Sequence, residues 1–142
     1  MKRVLLDTNV VLDLLLNRPP WAADAATIWD AHRTGTINAF VAAYTVPTIF
    51  YIVRRNSDLA TAQKAVADIL ATLDVTPVDR STLLAAGSLP GSDFEDNLQI
   101  PCAVQSGLDG IITRDPGGFS GSAVPVLSPA ELVARLAGPA TP

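Results

Sequence analysis

The fold is decided by a dozen residues near the start of the chain, Lys2-Arg3-Val4-Leu5-Leu6-Asp7-Thr8-Asn9-Val10-Val11-Leu12-Asp13. The short apolar run at 4–6 is typical of a fully buried strand inside a parallel sheet. The run ends at Asp7, and Thr8 or Asn9 can then cap a helix that carries apolar residues at helical spacing. We therefore expect Asp7 at the carboxyl end of a central strand, where open α/β sheets bind their ligands.

A carboxylate in this position has two interpretations. Burying it costs several kcal/mol unless a cation or a set of hydrogen bonds compensates the charge. Asp7 is therefore a candidate ligand for a cation. In the alternative interpretation Asp7 is itself the cap of the following helix.

Composition limits the class of protein. The 142 residues are 49% hydrophobic, which predicts one compact domain over 1–137, followed by a flexible tail over 138–142. No apolar run approaches the roughly 20 residues that span a bilayer, and no secretion signal is evident, so we expect a protein without a membrane partner. The single Cys102 cannot form an internal disulfide, which fits a reducing cytoplasm. Because the net charge is −4, a nucleic acid would have to be held by a local basic patch or a bridging metal.

Strands alternate with helices along the rest of the chain, which predicts a three-layer α/β/α sandwich with a central parallel sheet of about five strands. Capping-box spacing in Ser128-Pro129-Ala130-Glu131 predicts the start of the last helix. A proline inside the helix at 94–106, Pro101, predicts a kink. The expected strands are 4–6, 36–42, 75–78, 110–113 and 124–127, and the expected helices after the first are 21–34, 44–55, 58–73, 79–86, 94–106 and one from 128.

Four of the fourteen acidic residues fall where they could form one cluster. Asp7 and Asp115 each follow an apolar strand, and Asp93 and Asp96 share one face at a helix start. Carboxylates brought together repel, so without a cation at least one should have a raised pKa. A site made only of carboxylates selects Mg²⁺ or Mn²⁺ over zinc. Alternatively, Asp93 and Asp96 complement the helix dipole, and Asp115, before Pro116-Gly117-Gly118, forms a turn.

The order of three motifs resembles the PIN domain family, the metal-dependent ribonuclease fold of VapC-type toxins. The motifs are Leu-Leu-Asp-Thr-Asn-Val, Asp-Phe-Glu-Asp-Asn-Leu-Gln and Ile-Ile-Thr-Arg-Asp with a Phe soon after. The resemblance implies that Asp7, Asp96 and Asp115 are catalytic metal ligands and that Asp93 is an additional acid common in one branch. It also implies that Asn9 and Thr113 orient the carboxylates.

The sequence departs from this family at one position. PIN nucleases usually carry a glutamate at the start of the helix after strand two, where this chain has Thr48. The only glutamates are Glu95 and Glu131, so neither can replace it by a small shift in register. We expect a site of four aspartates lined by Thr48, in which one metal is plausible and two-metal occupancy is in doubt.

Basic side chains could hold RNA phosphates beside the acids despite the acidic total. The candidates are Arg18, Arg54, Arg55 and Arg114. For Arg54 and Arg55 the alternative is a solvated helix end that complements the macrodipole. Trp21 is among the aromatic residues that could stack a base.

Three functions compete at this stage. The first is a Mg²⁺- or Mn²⁺-dependent endoribonuclease, the toxin of a toxin–antitoxin pair, which would be a homodimer and bind an antitoxin protein. The second is a phosphatase with Asp7 as its nucleophile. That chemistry needs an aspartate at position 9 and a well-placed lysine, and the chain has Asn9 and only Lys2 and Lys64. The third is a PIN fold that has lost activity and works as a binding protein, an alternative motivated by Thr48.

Overall fold

A five-stranded sheet forms the centre of the computed structural model, which describes residues 1–138. All neighbouring strands are parallel, and β1 lies in the middle of the order β3-β2-β1-β4-β5. This arrangement confirms the predicted parallel sheet of five strands. The strands are β1 Arg3–Leu6, β2 Asn38–Ala42, β3 Asp74–Thr76, β4 Gly110–Ile112 and β5 Val126–Leu127.

Helices cover both faces of the sheet, as predicted for a three-layer sandwich. Successive side chains of β1 point to opposite faces of the sheet and so enter two apolar cores: Val4 and Leu6 pack into one, and Leu5 packs into the other. The larger core lies against α1, α2, α3, α4 and α7, and the smaller one against α5 and α6. The helices are α1 Thr8–Leu15, α2 Ala22–Arg33, α3 Thr45–Asn56, α4 Leu59–Thr72, α5 Arg80–Gly87, α6 Phe94–Gln105 and α7 Pro129–Leu136.

The ends of the elements differ from the predictions in ways that follow from capping chemistry. Asp7, rather than Thr8 or Asn9, is the N-cap of α1, because its carboxylate accepts a hydrogen bond from the Thr8 amide. The predicted capping box of α7 is confirmed, with Ser128 and Glu131 each accepting from the other's backbone. β2 and β5 are shorter than predicted, since β2 begins at Asn38 and β5 at Val126, whereas β1 begins one residue earlier, at Arg3.

Two further predictions, a kink at Pro101 and a tail after residue 137, concern the second half of the chain. Pro101 lies inside α6, which continues to Gln105. Its ring nitrogen has no proton to donate to the carbonyl one turn earlier, and the kink stays a prediction. A short 3-10 helix, Pro116–Phe119, follows β4 and was not predicted. The predicted tail lies outside the described residues except for Gly138.

His32 links three elements, α2, β2 and α4, through its two ring nitrogens. Its Nδ1 accepts a hydrogen bond from the Ala39 amide of β2. With Nδ1 acting as an acceptor, the proton is on Nε2, which donates to the Thr72 carbonyl at the end of α4. Across residues 1–138, no helix has the length and apolar character needed to cross a membrane.

Candidate active site

Asp7 leaves the central strand and enters α1 as a buried carboxylate. Its amide donates to the Ile112 carbonyl at 2.9 Å, which extends the pairing of β1 with β4 by one residue. The side chain is only 7% exposed. Its Oδ1 accepts from the Thr8 amide at 2.7 Å and from Gln99 Nε2 at 2.5 Å, and its Oδ2 accepts from the Thr113 hydroxyl at 2.7 Å. Burial raises the pKa of Asp7, and these three hydrogen bonds oppose that rise.

Asp7 forms hydrogen bonds but no ion pair with any of residues 1–138. An ionised carboxylate has about four acceptor positions, and the three donors above leave one on Oδ2. The capping interpretation is therefore confirmed, and a cation at the remaining position stays a prediction.

Two more acids lie at the start of α6. Asp93 is the N-cap, and its Oδ1 accepts from the amides of Glu95 at 2.9 Å and Asp96 at 3.1 Å. Asp96 lies in the first turn, and no hydrogen bond reaches its carboxylate from any residue between 1 and 138. The pKa of Asp96 is raised to about 6, first by burial and then by the negative charges of Asp93, Asp7 and Asp115. The four predicted acids are thus close enough to repel one another.

Asp115 reaches the same place from the end of β4. Together with Asp93 and Asp96 it lines a recess of about 470 Å³ between the loop before α6 and the 3-10 helix. A Cβ at Gly118 would lie 2.6 Å from Asp96 Oδ2 and 3.6 Å from Asp115 Oδ2. Any side chain at position 118 would displace the Asp96 carboxylate, so glycine allows the acids from two elements to meet. Asp115 is not a side-chain cap of the 3-10 helix.

The donor set suits a hard divalent cation, because all four side chains offer carboxylate oxygens. As these side chains stand, no three acids, histidines or cysteines in the described part of the chain surround a single point at ligating distance. Asp7 is fixed by its hydrogen bonds, whereas Asp96 has no such restraint. Binding a cation would therefore require Asp96 and Asp115 to turn toward Asp7.

The three residues predicted to support the acids differ in their contacts. Thr113 does what was expected: its hydroxyl donates to Asp7 and accepts from the Asp115 amide at 3.1 Å. Asn9 forms no hydrogen bond with any of the four acids in the described chain, and its Oδ1 is buried without a partner. The Thr48 hydroxyl donates to the Tyr44 carbonyl at 3.0 Å, and it too forms no hydrogen bond with a site carboxylate within 1–138.

Sequence reasoning missed two amide side chains on α6. Gln99 is 1% exposed and donates to Asp7. Asn97 is buried, and its Nδ2 donates to the Gly91 carbonyl at 2.8 Å, which fixes the loop before the helix. A helical repeat could have revealed Gln99, since it follows Asp96 by three residues and so lies on the same face.

A second buried carboxylate, Asp13, changes the interpretation of the arginines. It is 1% exposed and pairs with Arg18 Nε at 2.9 Å and with Arg114 Nε at 2.7 Å. These two arginines, predicted to lie on a basic rim for RNA, thus pair with an internal charge, and any contact with RNA stays a prediction. Arg54 and Arg55 are exposed at the end of α3 and form no ion pair within the described residues.

Comparison with known proteins identifies a family and several solved structures of the same fold. A sequence profile of the PIN domain matches residues 3–116. VapBC2 from Rickettsia felis, solved bound to a DNA fragment from its promoter, has a TM-score of 0.71 at 11% identity and covers 88% of this chain and 97% of its own. DNA-bound VapBC from Salmonella typhimurium has a TM-score of 0.70 at 15% identity and covers 91% of this chain and 99% of its own.

A third solved structure is similar over a shorter length. VapC20 from Mycobacterium tuberculosis, a Sarcin-Ricin loop cleaving toxin, has a TM-score of 0.62 at 13% identity and covers 76% of this chain and 86% of its own. At such identities these structures share the fold with this chain. A search of curated proteins gave no match.

Proposed function

This chain belongs to the PIN domain family, and from that premise we propose that it is a Mg²⁺- or Mn²⁺-dependent endoribonuclease, the toxin of a toxin–antitoxin pair. One observation carries the proposal. Asp96 and Asp115, from two different elements, border the same glycine, and burial together with the charges of Asp93, Asp7 and Asp115 raises the pKa of Asp96 to about 6. Acids in this arrangement lower their mutual repulsion by binding a cation.

The metal would be held by Asp7, Asp96 and Asp115, with Asp93 as an additional acid. A divalent cation bound there supplies an activated water and charge stabilisation for phosphodiester hydrolysis. The catalytic roles of these residues are part of the proposal.

The chain's own residues would keep the site ready for that chemistry. Gln99 and Thr113 hold the Asp7 carboxylate in one orientation, and Thr113 also fixes the backbone of Asp115. Asp93 is engaged by two α6 amides, so its carboxylate positions the helix start as well as adding charge. Asp96 is the group free to turn, and it must lose its proton before it can bind a cation.

The proposal extends to partners and location. Several solved relatives are toxin–antitoxin complexes, which supports an antitoxin protein as a partner of this chain. The Sarcin-Ricin loop cleaving toxin supports RNA as the substrate. We include a homodimer, because exposed apolar residues such as Tyr51, Leu70 and Leu84 could be covered by a second copy, and a cytoplasmic location, which a single unpaired cysteine fits.

Thr48 favours a second candidate, a PIN fold without catalytic activity that acts by binding. The position where PIN nucleases usually have a glutamate carries a hydroxyl that is bound to the Tyr44 carbonyl, so α3 adds no carboxylate there. A phosphatase is a weaker candidate, because a nucleophilic Asp7 would have to act while 7% exposed and bound by three donors.

Two measurements on the wild type and on Asp96→Asn test the proposal. Mn²⁺ should raise the melting temperature of the wild type, and the wild type should cleave single-stranded RNA when Mn²⁺ is present. The variant should lose the thermal response, and its cleavage rate should fall at least about 100-fold. Asp96 is preferable to Asp7 for this test, since an asparagine at position 7 would point an amide donor at existing donors. If the wild-type protein leaves RNA intact even at high protein concentration, the second candidate, a PIN fold that acts only by binding, is favoured.

A further inference from the structure

A second recess lies beside the acids, on the other side of the segment that follows β4. Arg114 and Asp115 are consecutive, yet their side chains enter different recesses: Asp115 lines the acidic one and Arg114 lines the second. The second recess has a volume of about 180 Å³. Its walls are Trp21, Asp24, Arg114, Ser128, Pro129 and Ala130.

One wall of this recess is a rigid stack. The Arg114 guanidinium lies over the Trp21 ring, with its central carbon 3.8 Å from the ring centroid. Asp13, itself buried, restrains the guanidinium: its carboxylate forms an ion pair with Nε at 2.7 Å and accepts a hydrogen bond from Nη2 at 3.3 Å. Trp21 is nevertheless 41% exposed. The wall therefore presents a planar π surface that is held in place before any ligand arrives.

A second wall supplies a hydrogen-bond acceptor. Asp24 is half-buried, and no hydrogen bond or ion pair engages its carboxylate among residues 1–138. The Ser128 hydroxyl accepts from the Glu131 amide as the cap of α7, and its own proton can still be donated to a ligand. Asp24 offers this wall a carboxylate acceptor, and its negative charge disfavours a phosphate here.

We propose that this recess is a subsite for a nucleobase of single-stranded RNA, with guanine preferred. The inference rests on the proposed ribonuclease function. Proteins read unpaired RNA bases by stacking them on aromatic rings or guanidinium planes and by hydrogen bonding to their edges. Guanine presents two adjacent donors, N1–H and N2–H, which match the two oxygens of a carboxylate, whereas the other RNA bases present no such pair.

The position of the recess fits a base close to the bond that is cut. Consecutive Cα atoms are about 3.8 Å apart, so the stack at Arg114 and the acid at Asp115 are neighbours along the chain. Because consecutive residues line the two recesses, the proposal places the base near the bond that is cut. Asp13, which is outside the acid cluster, is then the residue that positions the stacking wall.

The chain offers its own reporter, because Trp21 and Trp29 are its only tryptophans. In Trp29→Phe, the remaining fluorescence comes from Trp21, and in Trp21→Phe it comes from Trp29. The probes are the RNA pentanucleotides UUGUU, UUAUU and UUUUU, in EDTA so that no metal-dependent cleavage occurs. We expect saturable quenching of Trp29→Phe, tightest with UUGUU, and little quenching of Trp21→Phe.

Two variants separate stacking from base reading. Trp21→Ala should weaken binding of fluorescently labelled UUGUU by about 5- to 150-fold, the loss expected for one base–aromatic stack. Asp24→Asn should remove the preference for UUGUU over UUAUU while leaving both bound. Trp29→Phe is the matched control, since Trp29 packs against the larger core and lies outside the recess, and its affinity for UUGUU should equal that of the wild type.

The outcomes distinguish this inference from the proposed function. RNA cleavage by the wild type combined with no quenching of Trp21 would overturn the subsite alone. Quenching with a guanine preference that depends on Asp24, in a protein that cleaves no RNA, would support the subsite and refute the nuclease. A guanine preference that survives in Asp24→Asn would overturn the assignment of that residue.

Discussion

Asp7 caps the start of α1 and Asp13 lies within the same helix; both are buried, but their carboxylates have opposite kinds of partner. Asp7 accepts hydrogen bonds from three neutral groups, the Thr8 amide, Gln99 and Thr113. Asp13 is paired with two arginines. The charge of Asp13 is therefore neutralised within the protein, whereas Asp7 has no ion pair among the described residues. Burial of an aspartate does not by itself indicate a metal site; the charge of its partners decides.

The comparison predicts its largest effect at Asp13. Asp13→Asn leaves two guanidiniums without their counter-ion, and breaking a buried pair in this way costs about 3–5 kcal/mol of the free energy of unfolding. Urea denaturation measures the change. Asp30→Asn is the matched control, because it removes an exposed pair with Arg33 and should cost at most about 1 kcal/mol. If both variants lose the same free energy of unfolding, the buried Asp13 pairs stabilise the protein no more than the exposed pair does.

A smaller effect is expected where a neutral donor holds Asp7. Thr113→Val removes the hydroxyl that binds Asp7 Oδ2, and loss of such an orienting group typically lowers metal affinity 10- to 100-fold. Titration with Mn²⁺, followed by calorimetry, measures the affinity. Thr27→Val is a suitable control, since the Thr27 hydroxyl binds only the Ala23 carbonyl of its own helix. Unchanged affinity in Thr113→Val would separate Asp7 from the metal.

The pH dependence of stability tests whether the four acids near Asp96 crowd one another. The pKa of Asp96 rises from 3.8 to about 6 in the folded protein, so the folded state keeps a proton that the unfolded state releases earlier. In EDTA, Asp96 thus favours folding below about pH 4, and this contribution is lost as the pH rises through 6. Thermal melts of Asp96→Asn should show a smaller decline over that range. If the melting temperatures of the wild type and Asp96→Asn change with pH in parallel, the acids do not crowd Asp96.

The smallest effect concerns the arginines without a buried partner. Arg54 and Arg55 are exposed, so replacing both with glutamine should leave the unfolding free energy unchanged. If they contact RNA phosphates, the slope of log affinity against log salt should fall by about 0.7 for each lost contact. Fluorescence anisotropy of a labelled RNA in EDTA over a series of KCl concentrations measures it. An unchanged slope would leave them as a solvated helix end.

Much of the fold was readable from the sequence because its signals are local. The apolar strand before Asp7, the caps at Asp58 and Asp79 and the capping box of α7 all depend on neighbours within a few residues. The four acids could be grouped because parallel strands end at one edge of a sheet.

The environment of each acid was not readable, because it depends on distant residues. Nothing near Asp13 in the sequence indicates that Arg114, 101 residues later, will pair with it, and the arginine beside an acidic motif looked like a free cation. Gln99 was quoted within a motif, but its contact with Asp7 required the packing of α6 against the end of β1. Such pairings are set by the tertiary structure.

The central position of β1 has a consequence for synthesis of the protein. Its partners are β2 and β4, and the Asp109 carboxylate accepts from the amides of Lys2 and Arg3, so the first strand to leave the ribosome must wait for the last third of the chain. Asp7 cannot meet Asp115 until most of the polypeptide has been translated. A nascent chain released early would lack the acidic recess altogether.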